Sequence, residues 1–339
     1  MGLLIGGTWH DRWYDNSKTG GRFVRTNSQF RNRVTADGSS GFKAESGRYH
    51  LYVCYACPWA HRTLIYRKLK GLEDHISLSV ANPLMLEHGW TFEPYDGVIP
   101  DLIHGARYLH EIYTAAKPDY SGRVTLPVLW DRWTATIVNN ESAEIIRFFD
   151  REFDGVGASG PRFCPPELES EIDEVNAFVY ETINDGVYKA GFATTQGAYE
   201  GAVTGLFSAL DRLELRLSRS RYLLGDRLTE ADWRLFTTLL RFDSVYFGHF
   251  KCNVRRIVDY PSLWGFTREL YQVPGVAETV HMDHIKTHYY GSHPTINPTG
   301  IIPAGPDIDF AEPHGRGEVT SSATQLTFEQ EYEPFHAGG

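Results

Sequence analysis

The chain has 339 residues, 42% of them apolar and 22% charged, which is the balance of a globular protein too long for one ordinary core. Two domains plus extensions are therefore expected. The net charge of −10, with no run of basic residues, excludes the usual nucleic-acid binders, which carry a basic stripe. Four cysteines (Cys54, Cys57, Cys164, Cys252) do not make a disulfide framework and point to a reducing compartment. No stretch approaches the roughly 20 apolar residues of a membrane span. The opening Met1–Gly6 lacks the basic flank and long apolar run of a signal peptide. It also has Gly where a myristoylation start has Ser or Thr at position 6. A cytoplasmic protein without nucleic-acid or membrane partners is expected. Aromatic residues reach 14%, enough for wide, flat ligand pockets or for a heavily aromatic core.

Residues 1–45 are polar and Gly-rich, with Trp9, Trp13 and Phe23 scattered through them, and read as an extension that packs on another surface. Tyr49–Val53 has the composition of a buried strand. After Pro58 a helical stretch runs to Lys70, with Gly71 where a C-terminal cap belongs. Ile76–Val80 alternates as a second strand. Residues 82–120 show little periodicity and read as a long inserted loop, the kind that is usually functional or disordered. Val124–Trp130 resumes as a strand with Pro127 inside it, and Thr134–Val138 can pair with it as a hairpin. Asn139–Ser142 then opens a helix to about Phe149. The order βαβ, then ββα, is that of a thioredoxin-like α/β domain over 46–150. A Gly- and Pro-rich linker follows over 151–166. Helical patterns then occupy 167–184, 196–219, 229–247, 255–272 and 276–290, which makes 167–290 an all-α C-terminal domain. Within it, Leu228–Trp233 carries a capping box, Thr229 with Asp232, and a Leu228–Trp233 staple. Residues 291–339 read as a tail rich in Pro and Gly.

Three local features carry chemistry. Cys57-Pro58-Trp59-Ala60 sits where a strand hands over to a helix, so the sulfur faces free amides and the positive end of the helix dipole. Those favour thiolate, the attacking species, and Cys57 is the candidate nucleophile rather than a small buried cysteine. Pro58 fits the first helical turn, whose amide needs no partner. Pro127 is expected to be cis, facing the cysteine and leaving the backbone of Leu126 free for a peptide ligand; an edge-strand proline is the plainer reading of the same residue. Glu141-Ser142 at a helix start offers an acid for an ammonium and amides for a carboxylate, the two ends of a γ-glutamyl group, although simple capping is what most such pairs do.

At this level of detail the chain resembles the glutathionyl-hydroquinone reductases, the Xi class of glutathione transferases. The resemblance is carried by Tyr49–Val53 through Ala56–Arg62, Gly89-Trp90-Thr91-Phe92, Arg123–Trp130, Gly186–Phe192, His288–His293 and Asn297-Pro298. It covers about residues 5–305. It implies the glutathione-transferase architecture, glutathione as co-substrate with no metal, and a homodimer. The implied reaction is attack of Cys57 on the glutathione sulfur of a glutathionyl-hydroquinone, with a second glutathione resolving the mixed disulfide. Carried over residue by residue, Trp90, Arg123, the Leu126 backbone, Glu141 and Ser142 hold glutathione. Tyr188 and Tyr289 are catalytic and, with Tyr290, face the aromatic substrate. The competing enzyme reading is an omega-like thiol transferase or dehydroascorbate reductase, against which the tyrosine-bearing motifs and the inserted loop weigh. A non-catalytic carrier of aromatic ligands on the same fold would have no need of Cys57.

Some patterns imitate other functions. Cys54-Tyr55-Ala56-Cys57 looks like a redox pair, but in thioredoxin-type dithiols the nucleophile comes first and its partner lies one turn into the helix. That partner position is Ala60, so the site is monothiol. Gly155–Gly160 fits GxGxxG, yet it follows a helix and runs into prolines, and reads as linker. His281, His284 and His288 share a helical face without a cysteine or acidic partner, and read as a surface or pocket-lining stripe rather than a metal site.

Overall fold

The computed structural model describes residues 2–319. Strands β1 (Leu3–Ile5) and β2 (Thr8–His10) form a hairpin. After a long extended segment come β3 (Tyr49–Val53), helix α1 (Pro58–Leu69) and β4 (Ser77–Val80). Then follow α2 (Leu109–Ala116), β5 (Gly122–Arg123), β6 (Val128–Asp131), β7 (Thr136–Asn139) and α3 (Ser142–Arg151). The main sheet has the order β4-β3-β6-β7, with β3 and β4 parallel and the other two pairings antiparallel. All five residues of β3 are buried, as a central strand covered on both faces requires. Helix α1 ends as its sequence foretold. Gly71 takes φ +64°, its amide bonds the Lys68 carbonyl, and the Leu72 amide bonds that of Arg67.

The inserted segment departs from expectation. Residues 82–120 contain α2, which buries Leu109, Ile112 and Tyr113, and isolated bridges pin much of the rest to the sheet edge and to itself. The domain therefore runs βαβαββα. Eight residues with one apolar face of three side chains are too short a helix to stand out from a loop by periodicity. The strand placed at 124–130 begins only at Val128, and Gly122–Arg123 instead pairs with the N-terminal hairpin.

The C-terminal domain comprises α4 (Glu169–Val179), α5 (Gly186–Gly191), α6 (Gln196–Leu217), α7 (Glu230–Arg241), α8 (Pro261–Tyr271) and α9 (Met282–Ser292). Two predicted helices are interrupted by single π turns, Tyr180–Asn184 after α4 and Phe242–Tyr246 after α7. The short α5 fell outside the predicted helices. The capping box of Thr229 and Asp232 forms as expected. The GxGxxG stretch is a linker turn, with Gly160 packed so closely on the Leu69 carbonyl that a Cβ would lie 2.6 Å from it. The tail is not free of the body in its first part: Phe310 packs on Trp264 and Tyr271, and Arg316 donates to the carbonyls of Leu217, Ser220 and Arg221. Its remainder lies outside the described residues.

Helix α1 packs between α3 and α7, which joins the two domains beside Cys57. Arg241, at the end of α7, crosses the junction. It donates to the carbonyls of Tyr55 and Ala56, each at 3.0 Å, and so holds the two residues before the nucleophile.

Candidate active site

Cys57 is the N-cap of α1, with β-region backbone angles that turn its sulfur into a cleft between the domains. The Sγ lies 3.6 Å from the Leu126 carbonyl, and the Leu126–Pro127 peptide is cis. Helix-start amides and cations do act on this thiol, but burial outweighs them. Burial pushes the thiol up, while the amides of Ala60 and Trp59 and the charges of Arg241 and Arg25 pull it down. Burial thus favours thiol over the thiolate that the helix start alone suggested.

On one side of Cys57 the cleft is polar. Arg123, Leu126, Pro127, Glu141 and Ser142 line it together. Glu141 caps α3 by accepting from the Ala143 amide at 3.2 Å, and Ser28 donates to its other oxygen. Ser142 is buried against Arg62, whose guanidinium also donates to Asn184 at 2.8 Å and lies 4.5 Å over the Trp59 ring. Burial pushes the Arg62 guanidinium down to about 9, the position expected of a cation lacking a paired carboxylate. Arg123 stacks on Tyr14 at 4.1 Å and donates to the Arg12 carbonyl. The N-terminal extension therefore walls this half, contributing Tyr14 and the stretch Arg25–Ser28.

On the other side the cleft is aromatic. Trp90, Tyr188, Phe192, His288, Tyr289 and His293 converge there with Cys57. Trp90 stacks on His288 at 4.8 Å. Gly89 before it adopts φ +68°, and a Cβ there would lie 2.7 Å from the Trp9 ring, which accounts for glycine at that turn. Tyr188 and Tyr289 have their hydroxyls 2.6 Å apart, and Tyr246 lies 3.0 Å beyond Tyr289. Burial pushes all three phenols above their usual range, so they stay protonated. Arg25 spans both halves: it pairs with Asp185 at 2.9 Å and sits 4.8 Å over the Tyr188 ring.

Of the residues singled out from sequence, Cys57, Trp90, Arg123, Leu126, Glu141, Ser142, Tyr188 and Tyr289 all line this cleft. Tyr290 does not. One residue on from Tyr289, and so turned about 100° around α9, it leaves the cleft, and its hydroxyl donates to the Ser244 carbonyl at 3.3 Å. Of the histidine stripe, His281 and His284 pack together on Tyr55, and only His288 reaches the cleft. Among the described residues no group of three His, Cys, Asp or Glu converges on a metal position. Nor is any helix among them long and apolar enough to cross a membrane. Tyr14, Arg25, Tyr246 and His293 are cleft or near-cleft residues that sequence reasoning did not single out. Tyr246 lay in a predicted helix whose register the π turn changes, a rearrangement common at functional sites.

A thioredoxin-like domain bearing a cysteine at a helix start, closed by an all-α domain, is the architecture of a glutathione transferase. The glutathione S-transferase N-terminal domain family matches residues 56–152 and the C-terminal domain family residues 196–269. The glutathionyl-hydroquinone reductase YqjG of Escherichia coli is 59% identical over 93% of this chain and 98% of its own. The glutathionyl-hydroquinone reductase PcpF of Sphingobium chlorophenolicum is 58% identical over 90% of this chain and 96% of its own. A Xi-class transferase structure from Natrialba magadii superposes with a TM-score of 0.88 at 49% identity, covering 95% of this chain and 98% of that one. The chain belongs to the Xi-class glutathione transferases, the family of the glutathionyl-hydroquinone reductases.

Proposed function

We propose that the protein reduces glutathionyl-hydroquinones to hydroquinones at the expense of glutathione. The observation that carries this reading is the placement of Cys57 between a polar half suited to glutathione and an aromatic half closed by hydrogen-bonded tyrosines. The glutathionyl part lies along the polar half. Its γ-glutamyl end meets Glu141 and the start of α3, its cysteinyl backbone meets Leu126, Arg123 adds to the hold, and Trp90 closes on it from the aromatic side. Docking on the Leu126 carbonyl takes away the acceptor of the Cys57 S–H, which eases release of that proton. The thiolate then attacks the glutathionyl sulfur. An S–S bond forms, the C–S bond breaks with its electron pair left on the ring, and a proton on the carbon completes the hydroquinone. A second glutathione thiolate attacks the Cys57 mixed disulfide, yielding glutathione disulfide and free Cys57.

The tyrosines fit a phenolic leaving group. Three hydroxyls in a row have three protons and only two mutual contacts, so one O–H is left for a ring oxygen. Tyr188 and Tyr289 are the proposed catalytic pair: one donates that O–H to the ring oxygen and the other donates within the chain, with Tyr246 behind them. Mass spectrometry of the products formed from a glutathionylated hydroquinone and glutathione tests the reading. Equimolar hydroquinone and glutathione disulfide are expected, and neither product would appear if the protein were a carrier. The same reading makes the protein a cytoplasmic homodimer. Light scattering at micromolar concentration should give a particle of twice the 38.5 kDa chain mass, and a stable single-chain particle would remove the dimer.

A further inference from the structure

Reduction of the conjugate requires a proton at carbon. Sulfur leaves the ring with Cys57, the electron pair stays behind, and a hydrogen must take the vacated place. The acid–base side chains on this wall of the cleft are the Cys57 thiol, the phenols Tyr14, Tyr188 and Tyr289, and the imidazoles His288 and His293. Cys57 has already lost its proton when it attacks, Tyr188 and Tyr289 use their hydroxyls on each other and on a ring oxygen, and Tyr14 is stacked under Arg123 toward the polar half.

The two imidazoles are not equivalent. His288 places Nδ1 2.8 Å from the Pro83 carbonyl, which can only accept, so the neutral ring carries its hydrogen on Nδ1 and offers only a lone pair at Nε2. Burial lowers His288 and His249 to about 4 and His293 well below its usual value, so all three rings are neutral and differ only in where the hydrogen sits. His293 places Nδ1 3.0 Å from Nε2 of His249, a partner that can donate as well as accept. With His249 donating, the hydrogen of His293 sits on Nε2, and when that hydrogen leaves, Nδ1 can take the one from His249. His293 lies 5.7 Å from Tyr289, ring to ring, on the wall of the aromatic half. The same ring also borders a second cavity, lined by Trp13, Met85 and the exposed Asp11 and Glu87, so water reaches its neighbourhood from outside the cleft.

We propose that His293, backed by His249, delivers the proton that replaces sulfur on the ring carbon. The hydrogen on His293 Nε2 goes to carbon while the His249 N–H supports the ring at Nδ1, water from the adjoining cavity returns a proton to His293, and the proton released by Cys57 balances the hydroxide left behind, so both rings end neutral. This rests on the reductase reading above.

The test compares two glutathione donors in single-turnover formation of the Cys57 adduct. One is a glutathionylated hydroquinone. The other is the mixed disulfide of glutathione with 2-mercaptoethanol, whose leaving group is a thiolate that needs no proton on carbon. In His293→Ala the rate with the aryl donor should fall at least tenfold further than the rate with the disulfide, and added imidazole should recover part of the difference. His249→Gln should shift the ratio the same way by less. Equal losses with both donors would overturn the proposal. Should the alanine variant not fold, the wild-type protein in heavy water decides: a solvent isotope effect confined to the aryl donor supports the relay, and the same effect with both refutes it. A wild-type protein that accepts glutathione from the disulfide but never from the aryl donor refutes the reductase reading itself.

Discussion

In the polar half of the cleft, most contacts are made by backbone and by short side chains at the start of one helix: the Leu126 carbonyl, Glu141 on the Ala143 amide, Ser142 against Arg62. In the aromatic half, rings arrive from four separate places: Trp90 from the inserted segment, Tyr188 from α5, Tyr246 from a π turn and Tyr289 from α9. The floor of the first half is preorganised by the secondary structure of the thioredoxin-like domain, with the N-terminal extension as its outer wall. The second exists only when the domains are docked, and its hydroxyl chain is a small network whose members cannot be altered independently. On the proposed function, binding of the common glutathionyl group and chemistry on the variable ring fall to structurally separate parts. Cys57 stands at the seam.

Changing the seam residue should have the largest effect. Cys57→Ser is expected to lose at least about a hundredfold in turnover, about 2.7 kcal/mol, while its glutathione affinity measured by calorimetry stays within about threefold. Retention of more than a few per cent of turnover would mean that another group forms the mixed disulfide. Almost as large is the expected pH response of the same thiol in the free protein. Because burial raises its pKa above the ordinary value, the thiolate fraction at neutral pH is small and grows as pH rises. Alkylation of Cys57 by iodoacetamide should therefore accelerate by about tenfold per pH unit between pH 7 and 9. A rate already level at pH 7 would show that the helix start prevails over burial.

The aromatic half comes next. Tyr188→Phe and Tyr289→Phe should each reduce turnover of a hydroquinone conjugate by about tenfold to fiftyfold, roughly 1.4–2.3 kcal/mol, with glutathione affinity nearly unchanged. The double variant should lose less than the product of the two, because the hydroxyls share one chain. Tyr290→Phe, outside the cleft, should stay within about twofold; a larger loss would return Tyr290 to the site. The smallest effect belongs to Cys54. Its thiol is fully buried just beyond β3 and pushed up to about 12 by that burial. Cys54→Ala should leave turnover within about threefold, under roughly 0.7 kcal/mol, with the requirement for a second glutathione intact. A Cys54–Cys57 disulfide in single-turnover mass spectrometry would contradict the monothiol mechanism.

Much of the polar half was legible in the chain because its signals are local. A cysteine and proline at a strand-to-helix junction, a proline before a strand and an acid and serine at a helix start each act within a few residues, and the order of elements brings them together. The glycine cap after α1 and the capping box of α7 were readable for the same reason. Resemblance, rather than periodicity, pointed to Tyr188 and Tyr289, and it also suggested Tyr290. Neighbouring residues on a helix point about 100° apart, and only the docking of α9 decided which of the two faces the cleft. Tertiary structure alone brought in Tyr14 and Arg25 from the extension, set Tyr246 behind Tyr289 through a π turn, and paired His293 with His249. None of these leaves a local mark, since each depends on segments tens to hundreds of residues apart meeting across a domain junction. The same is true of Cys57 itself. Its proposed role rests on the helix start, but its protonation follows from burial, which the folded surroundings impose and no short stretch of sequence contains.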